Sequence, residues 1–543
     1  MNKKTLLLIV AALVLMAALL LVKFQGGKAS GVRFDADFES GNLGQVELID
    51  KTRLRVSPNK PVTYLSYLVH GKLDPDNPVD TSLEPSSNWY YFRMTGTKGK
   101  KIHIFAPDNG VARTSYSYDG VHWEHLPLAE PQGHLVDKLF TGDTVFIALY
   151  EPYTYSYLQE RIKTWCGRPD VTLDTIGFSH EGRPMQLLHV TDPSVPAAQK
   201  ARIWIHGRQH PSETPASFLV DGLMDYLTSD TPEGRSLRQQ IDAYILPFAN
   251  PDGVADGHSR CNALGVNQEI NFGRSDDSTV VEVKAIKETM ARLTEDRPFD
   301  FVLNSHSQHS ESATFWVHKA STTSPSYFRK LWTFTGLVCS FNPCIQPRDL
   351  NFSDMASRYV EGWCWDHAGE NTIALTIETT YSCYSFDREG LWADNDNIRA
   401  FGKRTMQAVA EYLGLSLPGR YLVDTPDKLS AGWEKMPGHE RSFIGKDAWQ
   451  ATRAGASVVY TRNQLPAGRY DIYRYVAGDC IEPKGYELRD PETEEWLDPG
   501  IHGWVHEVTI DQRKDGPFSY VFQAAAAGDL ADALLLVRRE TRE

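Results

Sequence analysis

Positive charge is in short supply in this 543-residue sequence: 56 Lys and Arg stand against 70 Asp and Glu, for a net charge of −14. No Lys/Arg stripe offsets the deficit, so no nucleic-acid partner is expected. Paired cysteines are lacking too. The seven cysteines (Cys166, Cys261, Cys339, Cys344, Cys364, Cys383 and Cys480) form no C-x-x-C pair and no dense framework. They read as buried apolar thiols, with Cys339 and Cys344 near enough to bridge across a turn. There is no internal repeat or low-complexity tract. With 41% hydrophobic and 23% charged residues, the chain has material for packed cores and is not globally disordered. Its length suggests roughly two to four domains.

Charge is also absent from Leu6 to Val22, a run without polar groups or proline behind the short positive leader Asn2-Lys3-Lys4. As a helix it covers roughly 25 Å, slightly short of a ~30 Å hydrocarbon core and long for a cleaved leader. Gly27-Lys28-Ala29 offers small residues where a signal peptidase reads, and no Cys follows, which closes the lipoprotein route. Residues 1–30 are therefore expected to be an uncleaved anchor in the inner membrane or a cleaved signal peptide. Both place the rest outside the cytoplasm, in the periplasm, anchored or released.

Three textures follow. Residues 31–155 hold aromatic and β-branched runs at 88–94, 101–107 and 143–150, with Asp119-Gly120 as a two-residue hairpin signal, and predict a β-sandwich. Residues 156–418 alternate buried-strand runs (201–207, 242–250, 371–379) with helical patterns (216–227, 400–413). They predict an α/β domain with a mixed central sheet and helices on both faces. After the breaks at Leu417-Pro418-Gly419 and Asp424-Thr425-Pro426-Asp427, strand runs from 456 to 540 predict a second β-sandwich over 428–543. Its Trp433, Trp449, Trp496 and Trp504 are expected to serve packing in preference to a sugar platform.

The chemistry sits in the middle stretch. The strand at 201–207 runs into His210-Pro211-Ser212-Glu213 and then a helix. His-x-x-Glu at such a turn aims an imidazole and a carboxylate at one point, the donors zinc takes. A catalytic zinc needs a third protein ligand. The apolar strand 300–310 supplies His306, with His309 just beyond, and the strand 374–380 ends in Glu378. A carboxylate emerging from so apolar a run should have a raised pKa, which suits a general base taking a proton from the attacking water.

His210-Pro211-Ser212-Glu213, Asn250-Pro251-Asp252-Gly253, strand-end His306 and Glu378 stand in the order used by the zinc metallocarboxypeptidases, which the sequence resembles over about residues 35–415. It is similar above all to the cytosolic carboxypeptidase subgroup, whose known members trim glutamate from protein tails. The segments 34–43, 151–159 and 250–266 carry that likeness. The resemblance implies one Zn2+ per chain on His210, Glu213 and His306, Glu378 as base and then acid, Arg260 as oxyanion stabiliser, and a peptide substrate. His309 is expected to line the cleft.

One departure stands out. Where the family has Asp-Leu-Asn-Arg, its Asn-Arg pair gripping the terminal carboxylate, this chain reads Asn267-Gln268-Glu269-Ile270-Asn271-Phe272. Without gaps, Glu269 and Ile270 replace the pair and Asn267 the aspartate that orients a zinc histidine. With a gap, Glu269 is that aspartate and Asn271 the asparagine. Neither register keeps the arginine, and Arg274 or Arg358 is left to replace it. The expectation is a zinc peptidase or amidase with atypical C-terminal recognition, acting on peptidoglycan-derived or other peptides. The alternative is a degenerate peptidase that binds peptides or glycans without cleaving them.

Overall fold

The structure is a computed structural model. It describes residues 30–539 except 58–59, 78–84, 107–112, 128–133, 311, 355–356, 383–390, 437, 439–440, 446, 499 and 501. The apolar run at 6–22 and Cys383 lie outside the described residues.

The central sheet has eight strands: β1 (Val171–Phe178), β2 (Pro184–Val190), β3 (Ala201–Gly207), β4 (Ile241–Leu246), β5 (Phe301–Gln308), β6 (Thr314–His318), β7 (Asn351–Ser353) and β8 (Ile373–Thr380). Their order is β1-β2-β4-β3-β5-β8-β6-β7. The middle four, β4-β3-β5-β8, run parallel, while β1, β2 and β6 add antiparallel pairings toward the edges. The sheet is mixed and covered on both faces. Alternate strand residues go to opposite cores, as the two-residue period requires. Ile203, Leu303 and Leu375 pack with helices α1 (Thr214–Thr228), α3 (Pro325–Cys339) and α5 (Asn395–Tyr412). Trp204, Val302 and Ala374 pack on the other face with α2 (Val281–Leu293) and α4 (Val360–Ala368). Burial on both sides is why these strands read as continuous apolar runs.

β-rich regions flank this α/β unit. On the N-terminal side, one sheet joins Arg33–Asp35, Tyr91–Thr95, Thr144–Ala148, Ser115–Ser117 and Glu124–His125; a second joins Val46–Ser57, Lys60–Val69, Lys100–Phe105 and His134–Leu139. Asp119-Gly120 does not make a two-residue hairpin. The pairs Ser115–His125 and Tyr116–Glu124 leave a longer loop. Asp119 closes it by accepting the Val121 and His122 N–H groups, both at 2.8 Å. A short acceptor side chain thus competes with the tight turn.

On the C-terminal side, Arg420–Val423, Leu534–Arg538, Gly468–Val476 and Gly503–Gln512 form one sheet, with two three-stranded sheets beside it. Trp433 and Trp449 pack against its core, Trp504 is buried, and Trp496 is exposed under the Arg489 guanidinium. Cys339 and Cys344 are both thiols, not a bridge.

Candidate metal centre

The site begins where β3 ends. Arg208 turns the chain with φ 57°, and its buried guanidinium donates to the carbonyls of Tyr153 and Pro211 and to Ser217 Oγ. It also lies 5.0 Å from the Phe248 ring centre. Asn250 caps the short helix Pro251–Asp256 through the Gly253 N–H, while its own amide donates to Gln209 O and Cys261 O, both at 3.0 Å. Two loops are thereby held together, and α1 starts directly behind Glu213.

His210, Glu213 and His306 converge there. Glu213 Oε1 lies 2.8 Å from His210 Nδ1, Glu213 Oε2 2.8 Å from His306 Nδ1, and the two Nδ1 atoms are 3.2 Å apart. The three residues are 2%, 5% and 0% exposed, so solvent does not screen them. Two imidazole nitrogens and a carboxylate are a zinc donor set. Bonds of about 2.0–2.1 Å at tetrahedral angles put donors about 3.3 Å apart, close to what is seen. The field agrees. Burial and Arg260 oppose charge on His210, yet Glu213 and Glu269 hold its pKa up at about 9. A potential that keeps a proton on a buried imidazole also attracts a cation. The residues present fit zinc.

Both histidines are held from behind. His210 Nε2 faces Asn267 Oδ1 at 3.1 Å and Glu269 Oε2 at 3.3 Å, and His306 Nε2 faces Gln209 Oε1 at 3.2 Å. Such partners fix the ring and raise ligand basicity. Burial alone would raise the Glu269 pKa, but His210, then His306 and Arg260, bring it down to about 2. Arg260 Nη2 is 3.7 Å from Glu269 Oε2, and the Arg260 side chain is 43% exposed. Its backbone N–H and that of Ser259 donate to the buried Asp74 carboxylate at 2.8 and 2.6 Å.

Glu378 stands beside His306, its partner in the β5–β8 register. It is partly exposed at the strand end, and its Oε2 has no hydrogen-bond partner among the described residues. Enclosure pushes its pKa above the ordinary carboxylate range, Glu213 and Glu269 push further, and His306 and Arg260 oppose. His309 stacks on Tyr381 with ring centres 4.6 Å apart, and its buried Nδ1 has no described partner.

The remaining expected residues are placed differently. Asn271 donates from Nδ2 to Asn267 O and leaves Oδ1 without a described partner. Arg274 lines a surface hollow with Lys287, Trp363 and His367. Arg358 lies over the Tyr359 ring and donates to its hydroxyl. No described contact ties either arginine to the His–Glu–His cluster. Gln209 and Asp74 escaped the sequence reading, since a glutamine in a loop and an aspartate in a distant segment carry no spacing signal.

Buried nitrogen and carboxylate donors at the carboxyl ends of parallel strands, with a further carboxylate alongside, are the arrangement a metal-dependent hydrolase site needs. Residues 162–362 match the zinc carboxypeptidase family, so this stretch of the chain carries a domain of the zinc metallopeptidase type. Mouse cytosolic carboxypeptidase 6 is 24% identical over 452 residues, 75% of this chain and 79% of that one. Human cytosolic carboxypeptidase 2 is 22% identical over 361 residues, 60% of this chain and 38% of that one. Among solved structures, a metallo-carboxypeptidase from Burkholderia cenocepacia superposes with TM-score 0.56 at 20% identity, covering 70% of this chain and 98% of its own. A metallo-carboxypeptidase from Pseudomonas aeruginosa, solved with (2-guanidinoethylmercapto)succinic acid, gives TM-score 0.56 at 19% identity over 70% and 99%.

The expected periplasmic, membrane-anchored placement is overturned. The mouse and human relatives that the chain matches are named as cytosolic carboxypeptidases. Peptidoglycan as substrate rested on that placement and falls with it.

Proposed function

We propose that the chain hydrolyses a peptide bond, with zinc held by His210 Nδ1, Glu213 and His306 Nδ1. Bound there, zinc supplies Lewis acidity toward a carbonyl and toward water. The chain's own groups do the rest. Glu378 takes a proton from the attacking water, whose oxygen bonds to the carbonyl carbon. The same carboxyl then delivers that proton to the amine as the C–N bond breaks. Arg260 meets the negative charge on the carbonyl oxygen, with Glu269 steering its guanidinium. Asn267 and Gln209 hold the imidazoles in place.

The observation behind this reading is the His306–Glu378 register, which sets a carboxylate next to the His–Glu–His cluster on neighbouring parallel strands. Glu378→Gln, nearly isosteric, should keep metal and fold and lose about 10²–10⁴-fold in turnover. Wild-type turnover of a confirmed peptide substrate by that variant would remove Glu378 from the role.

A second reading, binding without cleavage, has one observation in its favour: Ile270 stands where a carboxylate-gripping arginine is expected, and neither Arg274 nor Arg358 reaches the cluster. Retention of every group the hydrolysis needs argues for the enzyme.

A further inference from the structure

A second set of metal-type donors lies outside the zinc centre. Gly257, in the left-handed conformation with φ 70°, ends the short helix Pro251–Asp256 and turns the chain into His258, Ser259, Arg260 and Cys261. Asp74 reaches this loop from the N-terminal β region and accepts the Ser259 and Arg260 N–H groups. One donor atom from each of Asp74, His258 and Cys261 lies within 4.8 Å of the other two, and the three residues are 6%, 7% and 4% exposed.

The spacing suits one cation. Bonds of about 2.3 Å to sulfur and 2.0–2.1 Å to nitrogen, at a tetrahedral angle, put those two donors about 3.6 Å apart. Cys261 Sγ lies 3.6 Å from His258 Nδ1. Asp74 spends one oxygen on each backbone N–H, and a carboxylate has about four acceptor positions, so about two are left. Burial, and then Asp74, which accepts from the thiol, hold the Cys261 pKa above its ordinary value. The thiol proton thus occupies the place between sulfur and carboxylate that a cation would take. A cavity of about 90 Å³, bounded by Asp74 and Cys261 with Arg260 and Asn267, leaves room for water as a fourth ligand.

We propose that Asp74, His258 and Cys261 form a second site, for a thiophilic divalent cation of the zinc type, that clips the N-terminal β region to the loop carrying Arg260. Sulfur, imidazole and carboxylate are a zinc donor set, and a thiolate disfavours magnesium and calcium. On binding, the thiol proton leaves to solvent and the cation bonds to the thiolate. His258 Nδ1, which faces Asn262 O at 3.2 Å, takes the cation while the ring proton sits on Nε2. These displacements make the site weaker than the His–Glu–His cluster, so trace zinc fills only that cluster. The proposal stands whether or not the chain cleaves peptides.

The test titrates Co2+ into the full chain after dialysis against trace zinc. A thiolate on Co2+ gives a charge-transfer band in the near ultraviolet, which the sulfur-free His–Glu–His cluster cannot produce. The wild type should take up one Co2+ per chain with that band, and its melting temperature should rise by on the order of a few degrees. Cys261→Ser should abolish the band. His258→Gln, which serves also if Cys261→Ser does not fold, should weaken Co2+ binding by more than the roughly 10–100-fold that loss of an outer-shell partner costs, with an unchanged melting temperature before cobalt is added. His210→Ala should keep the band, because the two sites share no ligand. Uptake without the band, a band that survives Cys261→Ser, wild-type Co2+ affinity in His258→Gln, or no uptake beyond the resident zinc overturns the site.

Discussion

His210 uses both ring nitrogens: Nδ1 faces Glu213 and His306, while Nε2 faces Asn267 and Glu269. The two alignment registers at 267–271 competed over which residue orients this histidine, and the structure brings both candidates to the same nitrogen. Glu269, which the ungapped register sets in the carboxylate-gripping pair and the gapped one behind the zinc histidine, contacts His210 and Arg260. Alignment says which residue replaces which, but not where a longer side chain points. The outcome at this scale is that Glu269→Gln binds zinc about 10–100-fold more weakly, as loss of an outer-shell carboxylate does. Titration against a competing chelator measures it, and wild-type affinity would show that Asn267 alone orients the ring. That His210, Glu213, His306 and Glu378 come together was legible because spacing at strand ends carries it. Gln209 was not, because nothing in a loop sequence marks a side chain that happens to meet His306 Nε2 at 3.2 Å.

Elements set this geometry through their ends. β3, β5 and β8 are apolar runs whose last residues turn polar, and that switch was readable in sequence. The loop between β3 and α1 was less so. Its shape depends on Arg208, a buried cation in a left-handed turn, and on Asn250 from another segment. Asn250 caps its own helix and braces the loops of Gln209 and Cys261. Asn250→Ala should therefore destabilise the protein by about 0.5–2 kcal/mol, the range for a lost N-cap, and weaken zinc binding as well. Denaturant unfolding of the apo and zinc-loaded forms separates the two effects. A purely local cap would change both forms equally.

At the scale of the whole molecule, the α/β unit and the C-terminal sheets are joined by a buried charge network. Glu411 near the end of α5 accepts from Arg404 at 2.8 Å, from Arg420 at 2.6 Å and from the Trp504 indole at 2.8 Å. Burial would raise its pKa, but the two guanidinium groups bring it down to about 2. The sign follows directly. The folded pKa lies below the ordinary carboxylate value of about 4.3, so the network stabilises above that value. The stabilisation is lost as pH falls toward 2. Acid unfolding followed by tryptophan fluorescence should show this loss, and Glu411→Gln should flatten the pH dependence while lowering stability at neutral pH. A variant with the wild-type acid profile would assign the loss elsewhere. The three textures of the sequence matched the three kinds of sheet because period and composition set strand against helix locally. The interface was not legible, since Glu411, Arg420 and Trp504 are distant in sequence and meet only in the fold. The apolar run at 6–22 misled about location, because hydropathy measures an affinity for lipid and not a destination.

The central claim is that His210, Glu213 and His306 hold one zinc that peptide hydrolysis requires. Elemental analysis of purified wild type and His210→Ala, each dialysed against trace zinc and then assayed on a peptide library, tests it most directly. One zinc per wild-type chain with hydrolysis, and loss of both in the variant with the fold retained, is the predicted result. Full zinc occupancy in His210→Ala, or undiminished hydrolysis by the metal-free wild type, would contradict it.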